Sequence, residues 1–126
     1  MRLSTLVHQF FEKYLPQIKG VSHHSIQAYR DTFKLFLPFV ADHFGIKVSS
    51  LSLSHFTPQV ILFFLNHLES ERKNTARTRN HRLAAIKSLA RMVRFMYPQL
   101  SGAMDGIALI PQKRTQRQLV GFKKKT

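Results

Sequence analysis

The sequence has no cysteine, and only 6 of its 126 residues are Asp or Glu. Without cysteine, neither a disulfide framework nor a thiolate zinc site can form, which suits a reducing compartment. No apolar run approaches the ~18–20 residues that a bilayer-spanning helix needs. The first residues also lack the continuous apolar segment and the cleavage site of a secretory signal. We therefore expect a soluble, cytoplasmic protein.

Basic residues greatly outnumber these acidic residues. Lys and Arg total 20, which gives a formal net charge of +14. This imbalance favours a polyanionic partner, either a nucleic acid or an anionic membrane surface. The chain is also 44% hydrophobic with 11 Phe, so it can bury a core and is not a disordered basic tail. Its length suits one domain.

Apolar residues recur at helical spacing in four segments, residues 4–17, 22–44, 58–70 and 75–97. Ser22 or Ser25 can cap the second segment, and Thr57 followed by Pro58 is a strong start for the third. Pro16 and Gly20 should end the first segment, and Pro38 should kink or split the second. No repeat and no paired strand is evident, so the sequence predicts an all-α fold, a compact bundle of four main helices. The side chains predicted to be buried are Phe33, Phe36, Phe64, Leu83, Ile86 and Val93.

The remaining segments are short. Residues 46–56 alternate apolar residues with serine, but no second strand is available, so we predict a loop whose Leu51 and Leu53 reach the core. The sequence predicts one or two further helical turns over residues 100–110. From Pro111 the sequence is basic and nearly devoid of core residues. We therefore predict one domain over residues 1–110 and a basic linker over residues 111–126.

The segment from Asn74 to Tyr97 combines an apolar stripe with a basic face. That face carries three fixed cations, small residues and no acid: Arg77, Asn80, His81, Ala84, Lys87, Ser88 and Arg91. A helix that enters a major groove needs long cations for phosphates, amides for base edges and small residues for close approach. A solvated charged face is the ordinary alternative, but such faces usually mix the signs of their charges.

Histidines open the second segment. His23 and His24 lie in its first turn beside Ser25 and Arg30, where they can help to hold a phosphate, although solvated capping residues are the simpler interpretation. Adjacent residues on a helix point about 100° apart, and no carboxylate stands at a matching spacing. The sequence therefore predicts neither a metal site nor a cofactor.

Three stretches taken together carry a family resemblance: SIQAYRDTFKLFLPF in the second segment, Thr57-Pro58 before FFLNHLE in the third, and RTRNHRLAAIKSLARMV in the fourth. They resemble the core-binding domain of tyrosine recombinases of the phage-integrase type, and the likeness covers residues 3–115. It implies a SAM-like helical bundle that forms half of a clamp around double-stranded DNA, with the second and fourth helices against the groove. The DNA-binding residues that it implies are Ser25, Arg30, Arg72, Lys73, Arg77, Asn80, His81, Lys87 and Arg91.

The resemblance also implies what this sequence lacks. Recombinases of this family cleave DNA with a tyrosine, arginines, a lysine and a His-x-x-Arg motif in a C-terminal domain. None of the 7 histidines has Arg three residues later, and Tyr14, Tyr29 and Tyr97 fall in apolar stripes. We therefore expect no enzyme, but a fragment, a truncated product or a single domain. Its implied partners are DNA, the catalytic domain of the same parent protein and other recombinase subunits.

A second class of function stays open on the sequence alone. A basic helical module can bind an anionic membrane surface or an acidic protein instead of DNA. A helix that seeks a membrane surface exposes large apolar residues beside its lysines, and on the fourth helix only Phe95 is so placed. Our hypothesis is that Phe95 contacts the catalytic domain or another subunit.

Overall fold

The computed structural model describes residues 1–114, and this part of the chain is almost wholly helical. Helix α1 spans Leu3–Gln9 and continues directly as a π-helical segment, Phe10–Ile18. The other helices are α2 (His23–Phe44), α3 (Pro58–Ser70), α4 (Ala76–Met96) and α5 (Ser101–Ala108). The prediction of an all-α bundle is confirmed, and the four predicted segments agree with the helices to within one residue at each end.

Three helices begin at capping side chains, two of which, Ser22 and Thr57, the sequence indicates. The hydroxyl oxygens of Ser22, Thr57 and Thr75 each accept a hydrogen bond from the N–H three residues later, at 3.3, 3.3 and 3.2 Å. Each cap satisfies a backbone donor that the first turn leaves without a partner. Helix α2 ends at Gly45, whose φ of 67° lies in the left-handed region, where a residue with a side chain would be strained.

Neither proline interrupts its helix. The first helix passes Pro16 and ends at Ile18, two residues before Gly20, so its end lies within one residue of the prediction. Helix α2 also passes through Pro38 without a break, and the ring of Pro38 is exposed. Phe36 and Val40 on either side of it are fully buried. Their packing holds α2 together across the backbone hydrogen bond that proline removes.

The core lies among the π-helical segment, α2, α3 and α4. All six side chains predicted to be buried are at most 3% exposed. Phe36 is at the centre, with its ring near the rings of Phe33, Phe56 and Phe64 at centroid distances of 6.1, 6.0 and 5.1 Å. These edge-to-face contacts link α2 to α3. Phe44, the last residue of α2, is exposed.

Residues 46–56 form the predicted loop, which contains two short 3-10 turns, Val48–Ser50 and Leu53–His55. Leu51 is fully buried and Leu53 packs against the core, as predicted. The only strand-like pairing in the described part of the chain is one isolated antiparallel bridge between Arg2 and Ser52.

Helix α5 accounts for the one or two further turns predicted over residues 100–110. It runs for 8 residues and buries Met104 and Ile107 against the rest of the bundle. It also approaches the start of α3, because a Cβ atom at Gly106 would lie only 3.0 Å from Cγ of Pro58. Residues 111–114 follow without regular structure, and residues 115–126 of the predicted linker lie outside the described residues. None of the helices described is long and apolar enough to cross a membrane.

Candidate nucleic-acid interface

A cleft of about 460 Å³ separates the first half of α2 from the first half of α4. Its walls are formed by His24, Ser25, Ala28, Tyr29, Asp31 and Thr32 from α2, and by Thr78, His81, Arg82 and Ala84 from α4. Two of the residues predicted to bind DNA, Ser25 and His81, thus lie on opposite walls of one cleft. The packing of α2 against α4 brings them together from sequence positions that are far apart.

Arg82 joins the two walls, although the sequence pattern did not single it out. Its Nη1 donates a hydrogen bond to Oγ1 of Thr32 at 3.1 Å, and that hydroxyl donates to the carbonyl oxygen of Ala28 at 3.4 Å. Nε of Arg82 is buried and has no hydrogen-bond partner within residues 1–114. Arg82 lies about 100° from His81 around the helix, between the basic face and the apolar stripe. Its spacing therefore did not identify it as a residue of the site.

The outer face of α4 carries cations that have no acidic partner. Arg77 and Arg91 are exposed and Lys87 is partly buried. None of the three forms an ion pair in the part of the chain that the structure describes. The pKa of Lys87 lies below its ordinary value, chiefly because burial removes water from its ammonium and also because Arg91 lies one turn further on. A bound anion would counter both effects.

The turn before α4 adds two more predicted residues, Arg72 and Lys73. Both are exposed, and neither forms an ion pair with another described residue. Lys73 has a φ of 59°, the left-handed conformation that residues with side chains rarely adopt. We call Arg72, Lys73, Arg77, His81, Lys87 and Arg91 together the basic surface.

Arg30 is not part of the cleft. Its guanidinium carbon lies 4.8 Å from the centroid of the Phe11 ring, on the side of α2 that faces the π-helical segment. A separation of five residues turns a helix by about 140°, so Ser25 and Arg30 point to different sides of α2. The structure therefore separates two residues that the resemblance placed on one DNA contact surface.

Asn80 and Ser88 correct the predicted basic face. Asn80 is only 8% exposed. Its Nδ2 donates to the carbonyl oxygen of Lys113 at 2.7 Å, and its Oδ1 accepts from the N–H of Lys113 at 2.9 Å. The prediction that Asn80 lies on the exposed outer face is wrong, because its side chain is nearly buried and its amide binds the backbone of Lys113. Ser88 is 1% exposed, so the outer face of α4 is narrower than its spacing indicates.

Phe95 lies beyond the basic surface, near the end of α4. It is 62% exposed, as its place in the pattern predicts. Its ring centroid is 6.3 Å from that of Tyr14, so one edge of the side chain is in contact with the bundle. Arg94 beside it pairs with Asp105 of α5 at 3.8 Å.

These features define a class of protein, a small all-α domain with a concentration of unpaired positive charge beside the cleft between α2 and α4. Residues 7–94 match the family model described as "Phage integrase, N-terminal SAM-like domain". The match covers well over half of the chain, and the chain belongs to this family. The family resemblance that we drew from the sequence is confirmed.

Two curated relatives from Sinorhizobium fredii are similar to nearly the whole chain. "Putative integrase/recombinase y4rC" is 36% identical over 120 residues, which are 95% of this chain and 36% of that protein. "Putative integrase/recombinase y4rD" is 33% identical over 112 residues, which are 89% of this chain and 40% of that protein. The chain thus spans two fifths or less of the length of these relatives. No solved structure matches it significantly.

Proposed function

We propose that this chain is the DNA-binding, core-binding domain of a tyrosine-type site-specific recombinase, and that it holds duplex DNA against α2 and α4 during integration or recombination. The observation that carries the proposal is the unpaired charge of the basic surface. Lys87 is the clearest case, because burial and the neighbouring Arg91 lower its pKa and it has no ion pair within residues 1–114. A DNA phosphate is the kind of group that would stabilise that charge.

The basic surface is better suited to phosphates than to bases. Arg77, Lys87 and Arg91 are long cations, which position a protein on the duplex without reading its sequence. With Asn80 bound to Lys113, direct contact with base edges would depend on Ser25 and His81 at the cleft. We therefore expect binding that depends strongly on salt and only weakly on sequence.

We further propose that this chain binds DNA without cutting it. Tyr14 is buried in the core, and the hydroxyl of Tyr97 donates to Oε1 of Gln9 at 2.9 Å. Tyr29 lines the cleft, but its ring stacks on Phe10 with centroids 6.2 Å apart. A nicking assay on supercoiled DNA, with and without divalent metal, should show neither cleavage nor a covalent adduct. An adduct that disappears in Tyr29→Phe would overturn this part of the proposal.

A membrane or an acidic protein as the partner has weaker support. Large exposed apolar side chains such as Phe44, Leu62 and Phe63 lie on α2 and α3 and not among the cations of α4. Only Phe95 combines exposure with a place near the basic surface. An amphipathic helix that inserts into a membrane needs a row of such residues beside its bases.

The decisive experiment is a titration of this chain against duplex DNA at several salt concentrations. The triple variant with Arg77, Lys87 and Arg91 changed to alanine should bind more weakly. The slope of log K against log salt should shrink by roughly 0.9 for each phosphate that the variant no longer neutralises. The matched control is the triple alanine variant of Lys13, Lys19 and Lys47. These are exposed lysines outside the basic surface, and their removal lowers the net charge equally.

Each outcome of this titration has a meaning. Weaker binding by the first triple variant alone supports the proposal. Equal weakening in both variants would mean that only net charge matters, which contradicts a defined DNA-binding surface. Binding to anionic vesicles but not to duplex DNA would favour the membrane alternative.

For Phe95 we propose a contact with the remainder of a longer recombinase or with a second subunit. The support is its exposure, together with the large share of each relative's length that this chain does not cover. Phe95→Ser should reduce assembly on DNA in a full-length protein while leaving the binding of the isolated domain unchanged. Equal assembly by the variant and the parent would remove the support for this contact.

A further inference from the structure

The segment that follows α5 is bound to the bundle through the side chain of Asn80. Asn80 and Lys113 are 33 residues apart in sequence, yet the amide of Asn80 pairs with both the N–H and the C=O of Lys113, at 2.9 and 2.7 Å. This is the pattern by which two peptide groups pair in a sheet, with a side-chain amide in place of one of them. Only a primary amide offers a donor and an acceptor in this arrangement.

An ion pair also holds the side chain of Lys113. Nζ of Lys113 lies 2.7 Å from Oε2 of Glu69, near the end of α3. Oε1 of Glu69 in turn lies 3.1 Å from Nε of Arg79, whose side chain is nearly buried. Glu69 therefore joins the end of α3, the start of α4 and the segment that follows α5. We call Asn80, Glu69 and Lys113 the exit latch.

The two parts of the exit latch differ in strength. Lys113 is exposed, so water screens its ion pair with Glu69, and such pairs contribute little. The amide of Asn80 is buried, and a buried polar group that loses its partner carries a penalty well above that of an exposed one. Asn80 should therefore dominate the exit latch.

We propose that Asn80 is a positioning residue that sets the position and direction of the chain at Lys113. The exit latch holds Lys113 between the end of α3 and the first turns of α4, next to the turn that contains Arg72 and Lys73. Whatever follows residue 114 starts from a fixed point relative to the cleft and not from a free end after α5. This inference does not depend on DNA binding and can fail or succeed separately from it.

The first test measures hydrogen exchange of individual backbone amides by NMR on the 126-residue chain. Asn80→Ala should accelerate exchange of the Lys113 amide by roughly tenfold or more, while amides in the centre of α4 keep their rates. Asn66→Ala, the same change at an exposed asparagine of α3, is the matched control and should change nothing at Lys113. Lys113→Met should also leave the exchange of residue 113 within about threefold, because Asn80 binds the backbone and not the side chain.

The second test measures position. The chain has no cysteine, so Gln59→Cys and Arg114→Cys accept a pair of spin labels without further changes. The parent should give one narrow distribution of distances between the labels, and Asn80→Ala should broaden it. Lys113→Pro removes the N–H donor and also the side chain that pairs with Glu69, and Lys113→Met, which lacks only the side chain, is its control. Lys113→Pro should broaden the distribution more than Lys113→Met does, even if Asn80→Ala folds poorly. Equal widths for the parent and Lys113→Pro, or unchanged exchange at Lys113 in a folded Asn80→Ala protein, would overturn the proposal.

Discussion

Arg82 of α4 donates a hydrogen bond to Thr32 of α2 across the base of the cleft, at a distance of 3.1 Å. The hydroxyl of Thr32 donates in turn to the backbone of α2, so it can accept from Arg82 in one fixed orientation. This contact holds the two walls of the cleft together. The spacing of Ser25 from His81 thus depends on two residues that contribute no exposed charge of their own to the basic surface.

The first prediction concerns this contact. Thr32→Val keeps the shape of the side chain but removes the hydroxyl, and it leaves a partly buried guanidinium without its partner. The free energy of unfolding, measured by urea denaturation, should fall by ~1–3 kcal/mol. Thr5→Val is the matched control, because Thr5 is exposed on α1, and it should change stability by less than ~0.5 kcal/mol. Similar values for the two variants would mean that the hydrogen bond does not hold the cleft.

The second prediction concerns Lys87 and pH. Because the pKa of Lys87 is lower in the folded chain than its ordinary value of 10.5, the unfolded chain binds more protons between those two values. Stability due to this group should therefore rise as the pH increases through that window. The unfolding free energy of the parent, relative to that of Lys87→Gln, should rise as the pH approaches 10.5. Lys13→Gln, at an exposed lysine, is the control for the removal of one charge, and a constant difference for Lys87→Gln would contradict the prediction.

The third prediction separates folding from binding at Lys73. A left-handed residue with a side chain is strained by roughly 1–2 kcal/mol, which glycine avoids. Part of this gain is offset by the greater freedom of glycine in the unfolded chain, so Lys73→Gly should stabilise the protein by up to ~1 kcal/mol. The same variant should bind DNA more weakly, with a salt slope smaller by roughly 1. Arg72→Gly, at a position without positive φ, should instead destabilise the chain. Weaker binding by a more stable variant cannot be attributed to unfolding.

The fourth prediction uses two glycines of α5. Alanine is favoured over glycine inside a helix by up to ~1 kcal/mol, and a Cβ at Gly102 would meet no atom within 4 Å. Gly102→Ala should therefore be neutral or stabilising. Gly106→Ala should destabilise the chain, because its Cβ would lie 3.0 Å from Cγ of Pro58 and would push α5 from α3. Thermal unfolding of both variants checks this, and equal midpoints would contradict the close approach.

The helices and the core could be predicted because burial imposes a period on the sequence. Phe36, Phe64 and Ile86 recur with the apolar stripes of long helices, and the structure buries all three. Helix α5 is short and contains two glycines, so the same signal is weak there. The first helix continues past Pro16 because tertiary packing of Phe10, Tyr14 and Leu15 outweighs the local effect of that proline.

The candidate site was less predictable, because a helical wheel shows the residues of one helix and not the segments that pack against it. It places Asn80 and Arg77 on one face, but it does not show that Lys113 returns to cover Asn80. It likewise does not show that Arg30 lies against Phe11. Arg77 and Arg91 are exposed, as their positions on the helix predict, because no other described segment packs over them.

The last prediction separates Arg30 from Arg77, two exposed arginines that the sequence resemblance assigns to the same task. Arg30 lies over the ring of Phe11, a cation–π contact that contributes ~0.5–1 kcal/mol at an exposed site. Arg30→Ala should therefore lower the unfolding free energy by about that amount and leave the salt slope of DNA binding unchanged. Arg77 has no ion pair within the described chain, so Arg77→Ala should leave stability nearly unchanged and reduce the salt slope by about 0.9. Both variants lose one positive charge, and each is the control for the other. If Arg30→Ala reduced the salt slope as much as Arg77→Ala, DNA would have to contact the side of α2 that faces Phe11, and the cleft between α2 and α4 would not be the centre of the interface.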